Sequence, residues 1–241
     1  MIKNKELIKK RFSKSLKTYS DNAIVQKQMA KKLVDAIPNF NFKKILELGC
    51  GTGFITEEAA SKINFSDYFA VDIVPECKKY ISKISDKIQF VCGDIEDNDK
   101  IYGAKYDLII SNATLQWLDN LPQFIQKLRT NLTAGGYLIF TVFGKENYKE
   151  MAPFIQTPLK YYSVDEIKNF CMDFEIIKIA EEKFVMEFNT PKDVLRHIKN
   201  TGVNAISTPQ WTKKDLINFE KEYSKEITLT YHPIYVILKQ G

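Results

Sequence analysis

Apolar residues near the start of the chain fall at helical spacing. Val25, Met29, Leu33 and Ile37 recur in this way until Pro38, so the opening segment reads as two helices, with Ser20 or Asp21 capping the second. The period then changes. Short apolar runs at Lys44–Leu48, Tyr68–Ile73, Ile88–Cys92, Tyr106–Ser111 and Tyr137–Phe143 have the length and composition of strands. Helical stretches separate them. One opens after Gly49–Gly53 and runs through Ile63, one carries Pro75 in its first turn, and one runs from near Pro122 to about Leu132, after which Gly135-Gly136 turns the chain into the fifth strand. Apolar strands alternating with helices predict a doubly wound α/β fold whose mostly parallel sheet is covered on both faces.

Beyond Phe143 the rhythm is different. Ser163 and Glu166 have capping-box spacing, and residues 174–188 read as extended chain, one strand or two. Thr190 caps a helix with Pro191 at its first position and Gly202 after its end. Thr212 and Asp215 open another helix, and Ile227–Leu238 is a closing strand interrupted by Pro233. The domain division expected from this pattern is an N-terminal helical arm over 1–42, a core over 43–188, a helical cap inserted at 189–224, and a final core strand in 225–241.

Composition narrows the class. At 241 residues with 44% hydrophobic content, the chain can bury a full core without disulfides or structural metal. Its four cysteines lie far apart with no CxxC pair, which disfavours a zinc site and favours a reducing, cytoplasmic setting. The basic start is followed by no apolar signal region, and the apolar runs are too short to span a bilayer, so a soluble protein without membrane partners is expected. Charge is uneven. Residues 1–44 carry 12 lysines and arginines against 3 acidic residues within a chain of net charge +5, and such an arm suits an acidic partner.

The candidate chemistry begins at Glu47-Leu-Gly49-Cys50-Gly51-Thr-Gly53, a glycine loop that follows a strand and opens a helix. The spacing is GxGxG rather than GxGxxG. Glu47 ends the first strand, where negative charge favours a cationic ligand over a pyrophosphate. Asp72 ends the second strand, where its carboxylate can accept from both ribose hydroxyls. Asp94, after the third strand, can accept from an adenine amino group while Ile73 and Ile95 sandwich the ring. Together these residues resemble the class I methyltransferases over residues 43–143. The resemblance implies a Rossmann-like seven-stranded sheet and S-adenosyl-L-methionine as methyl donor, with S-adenosyl-L-homocysteine as product. It also implies that Asn112 and Ala113 lie beside the methionine moiety. Trp117 is either core or the wall of a substrate entrance.

Flanking segments extend the likeness. Phe12, Tyr19, Ala23 and Gln26 at the start, Ser111-Asn112 with Leu115-Gln116-Trp117, Leu195-Arg196-His197 through Thr201-Gly202, and Leu229 through Tyr235 with His232 are similar to the malonyl-[acyl-carrier protein] O-methyltransferases of biotin synthesis. That resemblance implies methylation of the free carboxylate of a malonyl thioester on an acidic acyl carrier protein. A carboxylate is ionised near neutral pH, so no general base is expected, and no metal either. Lys192, Arg196 and Lys199 share one helical face. Arg196 is the expected carboxylate anchor, with Tyr19 and His197 as further positioning residues and Lys192, Lys199, Thr201, His232 and Trp117 on the substrate or carrier side. Two other functions stay open: an O-methyltransferase for a free small carboxylate, similar to the trans-aconitate enzymes, and a non-catalytic cofactor- or RNA-binding module. Nucleic acid is not expected, because strand four ends in Ser111-Asn112-Ala113-Thr114 and aromatic–basic interleaving is absent.

Overall fold

The computed structural model describes residues 4–98, 100–155, 159–202, 212–223 and 226–241. Two helices, α1 (Lys5–Asn22) and α2 (Ile24–Asp35), open the chain. Neither Ser20 nor Asp21 caps α2. Ala23 takes that place, fully buried, with its N–H given to the Tyr19 carbonyl, so that one small residue ends α1 and begins α2. Val25, Met29 and Leu33 face the interior as their spacing requires.

The core alternates as expected: β1 (Asn41–Leu48), α3 (Phe54–Lys62), β2 (Asn64–Asp72), a 3-10 turn at Pro75–Cys77 leading into the short α4 (Lys78–Ile81), β3 (Ile88–Cys92), β4 (Tyr106–Ser111), α5 (Leu121–Arg129) and β5 (Leu132–Phe143). β5 starts earlier than the glycine pair suggests. Gly135 (φ +73°) sits inside the strand, and the pairing with β4 shifts between Tyr106 and Leu108. The glycines therefore form an irregularity within a strand rather than the turn before it.

After α6 (Val164–Phe170), capped by the Ser163–Glu166 box, come β6 (Glu175–Glu181), β7 (Phe184–Glu187), α7 (Pro191–Asn200), α8 (Lys213–Glu222), β8 (Thr228–Tyr231) and β9 (Pro233–Lys239). The closing strand is thus two. Pro233 lacks the N–H a continuous ladder would need, and the chain changes sheets there. β8 pairs with β7, while β9 enters the main sheet.

The main sheet has seven strands in the order β3-β2-β1-β4-β5-β9-β6, and β9 runs antiparallel to both neighbours. Strand alternation divides the core. Leu46, Leu48 and Ile109 pack on one face, Ile45, Leu108 and Ile110 on the other. A third cluster joins Val25 and Met29 of α2 to Val194 of α7, Phe219 of α8 and Tyr231 of β8.

Candidate active site

Strand order reverses between β1 and β4, and the ends of these strands open a crevice where α/β sheets bind ligands. A cleft lies there, with about 1070 Å³ of open space between the strand ends and α1. The glycine loop forms its floor. Gly49 has φ +76°, and a Cβ on it would fall 2.2 Å from Thr114 Oγ1. Gly51 also has a positive φ, but a Cβ there would meet nothing within 4 Å. Gly49 is fixed by packing, whereas Gly51 and Cys50 border open space into which a ligand can come close to the backbone.

Carboxylates line one side. Asp72 accepts from the backbone N–H groups of Gly51 and Val74, each at 2.9 Å, and so ties the glycine loop to the end of β2. Burial raises its pKa, against the opposing backbone hydrogen bonds. Glu47 is 2% exposed, and Thr56 Oγ1 and Tyr68 Oη both donate to its Oε2 at 2.7 Å. Burial outweighs these bonds and pushes its pKa up to about 7. An acid in this state is held neutral or charged by whatever enters the cleft. Asp94 pairs with Lys5 Nζ at 2.6 Å, and the same ammonium reaches Glu96 at 2.7 Å. Ile73 and Ile95 complete this end.

The opposite side is Asn112-Ala113-Thr114. Asn112 is locked: its Nδ2 donates to the Gln26 carbonyl at 2.9 Å and its Oδ1 accepts from Thr141 at 2.7 Å. Ala113 has φ +50°, a strained conformation for a residue with a Cβ, and its N–H donates to Thr141 Oγ1 at 2.9 Å. Helix α1 covers the top. Tyr19 stacks on Phe54 with ring centroids 5.7 Å apart, and Phe12 meets Trp117 edge-on at 5.3 Å. Trp117 therefore walls the cleft, packed against the arm. These groups suit a nucleoside bearing a cationic tail: Asp72 for vicinal hydroxyls, Asp94 with the two isoleucines for a base, and Glu47 for the positive end.

A methyltransferase domain model matches residues 22–174. Two curated malonyl-[acyl-carrier protein] O-methyltransferases align with almost the whole chain. That of Calditerrivibrio nitroreducens is 38% identical over 97% of this chain and 96% of its own length. That of Chlorobium luteolum is 33% identical over 99% and 97%. The chain belongs to the malonyl-[acyl-carrier protein] O-methyltransferase family. Among solved structures, the N-methyltransferase NodS of Bradyrhizobium japonicum, in complex with S-adenosyl-L-homocysteine, superposes with a TM-score of 0.53 at 13% identity, over 89% of this chain and 85% of that one. It shares the class I fold.

The remaining sequence candidates in this O-methyltransferase lie away from the cleft. Lys192, Arg196 and Lys199 do share a face of α7, but it is the outer one, because Val194, His197 and Ile198 turn inward. Arg196 is 68% exposed and its Nη1 pairs with Asp193 at 2.6 Å, while Lys192 pairs with Glu220 at 3.1 Å. Arg196 is not among the described residues that line the cleft, and its guanidinium is engaged at the surface. His197 is buried 2.7 Å from the Tyr231 hydroxyl, and burial lowers its pKa. Thr201 donates to the His197 carbonyl at 3.0 Å, which makes it part of the helix end. His232 accepts from the Glu146 N–H and lies 2.8 Å from Glu181. The sequence reading also missed Lys5 at the cleft mouth, since nothing local ties it to a carboxylate 89 positions away.

Proposed function

We propose that this chain transfers a methyl group from S-adenosyl-L-methionine to the free carboxylate of malonyl-[acyl-carrier protein], giving the methyl ester that starts pimeloyl and biotin synthesis. One observation carries the substrate. The relationship to the malonyl-[acyl-carrier protein] O-methyltransferases spans 97% of the chain or more, and so extends past residue 174, where the general methyltransferase match ends. Helix α1 and the α7–α8 segment, which lie outside the general match, are included in it.

When bound, the cofactor supplies an electrophilic methyl group on a sulfonium. The chain's residues hold and orient. Asp72 takes the ribose hydroxyls, Asp94 with Ile73 and Ile95 takes the adenine, and Glu47 takes the amino-acid end. Asn112 and Ala113, fixed by Thr141 and Gln26, border the methyl. The substrate carboxylate is ionised near neutral pH and needs no base. Aligning it in line with the sulfur–carbon bond can contribute on the order of 7–11 kcal/mol. In this reading α1 closes the cleft, while Lys192 and Lys199, exposed on α7, face the acidic carrier; part of the expected cap over 189–224 lies outside the described residues. The described helices include none long and apolar enough to cross a membrane, and we place the reaction in the cytoplasm with the carrier protein. Competition among malonyl-carrier protein, malonyl-CoA and free malonate for one labelled methyl donor tests the assignment. The carrier-bound substrate should win, whereas preference for free malonate would indicate a small-carboxylate enzyme.

A further inference from the structure

Helix α1 has two faces in different company. Lys5, Ile8, Phe12, Leu16 and Tyr19 recur every three or four residues and line the cleft. Lys10, Lys14 and Lys17 recur at the same spacing on the opposite side of the helix, and all three are exposed. Glu6 and Asp21 stand one turn to either side on that outer face. Among the described residues, none of the three ammonium groups takes part in an ion pair, with these acids or with any other. By contrast Lys31, Lys32, Lys62 and Lys192 each hold a carboxylate. Like charges at i and i+4 weaken a helix, so pairing within the fold does not account for the row.

The row continues onto α7. Thr18 Oγ1 donates to the Asn200 carbonyl at 3.1 Å, and Asn200 Nδ2 donates to Asn22 Oδ1 at 3.2 Å. A Cβ on Gly202 would fall 2.9 Å from the Phe12 ring, so the end of α7 lies close against α1. Lys199, next to Asn200, is exposed and makes no ion pair among the described residues. Lys192 and Arg196, farther back along α7, are already held by Glu220 and Asp193. A cluster of uncommitted positive charge therefore lies on the back of the helix that covers the cleft. Residues 1–44 hold 12 lysines and arginines against 3 acidic residues, whereas the rest of the chain carries more acidic than basic ones. An acidic protein is drawn to this face in preference to the others. Seated there, it stands over the cleft and can pass a thioester arm round the edge of α1.

We propose that the outer face of α1, through Lys10, Lys14 and Lys17 with Lys199 of α7 at its edge, is the surface on which the acidic carrier protein docks. The inference rests on the reading of the substrate given above. Its test compares malonyl-carrier protein with malonyl-pantetheine, which keeps the thioester but has neither the acidic protein nor a phosphate. In the full chain, Lys10→Glu, Lys14→Glu and Lys17→Glu together should raise the KM for malonyl-carrier protein at least about tenfold. The dependence of kcat/KM on ionic strength, steep in wild type, should flatten. Turnover of malonyl-pantetheine and affinity for S-adenosyl-L-homocysteine should stay within about twofold of wild type. Lys43, Lys87 and Lys105 are exposed at the ends of β1, β3 and β4 remote from the cleft, and reversing these three should change the KM by about twofold or less. If the α1 reversals lower the melting temperature, glutamine at the same three positions carries the comparison, with a rise in KM of about threefold or more. A wild type that transfers no methyl to malonyl-carrier protein overturns the substrate reading and this inference with it. An active wild type whose α1 variants keep its KM and salt dependence overturns the docking face alone, and so does an equal loss on both substrates. Loss of binding to bulk RNA, with the KM for malonyl-carrier protein unchanged, would assign these lysines to nucleic acid instead.

Discussion

Lys5 and Asp94 meet at 2.6 Å across the mouth of the cleft, joining the first helix to the loop after β3. Hydrogen bonds to Asp94 and Glu96 raise the Lys5 pKa despite the opposing effect of burial. The pair is partly exposed, so salt should weaken it. Lys5→Ala should free the arm. Release of S-adenosyl-L-homocysteine, followed by the fluorescence of Trp117 in stopped flow, should speed up severalfold, and its dependence on ionic strength should flatten. Unchanged release would mean that the pair does not latch the arm.

Asp72→Ala should weaken cofactor affinity at least about tenfold, since charge-assisted hydrogen bonds contribute roughly 1.5–3 kcal/mol. Asp72 also holds the N–H groups of Gly51 and Val74, so the melting temperature should fall as well. Asp72→Asn keeps an acceptor for one of these groups and should recover part of the stability but less of the affinity. Calorimetry that finds an unchanged dissociation constant for Asp72→Ala would remove it from the site.

Glu47 makes the cleft sensitive to pH. Its folded-state pKa is raised from 4.5 to about 7, so the folded protein holds a proton that the unfolded chain gives up. Stability should therefore decline as pH rises through the window from 4.5 to about 7, by an amount on the order of 3 kcal/mol at most. Glu47→Gln should remove this slope. A cationic ligand favours the ionised form, so cofactor binding near pH 6.5 should release a proton in wild type and less in Glu47→Gln. Calorimetry in two buffers of different ionisation heat measures the difference, and equal proton release would take Glu47 out of ligand contact.

Arg196 is exposed and paired three residues away with Asp193, an arrangement worth about 0–1 kcal/mol. Arg196→Lys should leave both stability and turnover on malonyl-CoA within about twofold of wild type. A tenfold loss of turnover would show that α7 turns its outer face to the substrate during the reaction.

How much of this was legible in the chain differs by element. The glycine loop, Asp72 and Asp94 were readable because each follows a strand end whose apolar run marks it, and strand ends converge in a doubly wound sheet. The sharing of one face by Lys192, Arg196 and Lys199 was readable from helical spacing too. Which way that face points was not. It depends on Val194, His197 and Ile198 packing against Tyr231 and α2, a tertiary choice that periodicity leaves undecided. The arm shows the same limit. Lys5 carries no local motif, and its partner Asp94 lies far along the sequence; Gln26 stands in the opening pattern with Tyr19 and Ala23, but nothing local ties its carbonyl to Asn112. Pro233 announced a break, but not that the strand on each side of it would join a different sheet.

Methyl transfer to the carrier-bound substrate tests the central claim most directly. The full chain is incubated with methyl-labelled S-adenosyl-L-methionine and malonyl-carrier protein, and the product is examined by mass and by mild alkaline treatment. The account requires one methyl on the malonyl-phosphopantetheine arm, released as methanol by base, with S-adenosyl-L-homocysteine formed in equal amount. Label that resists base, label found on free malonate in preference to the carrier-bound form, or no transfer at all would contradict it.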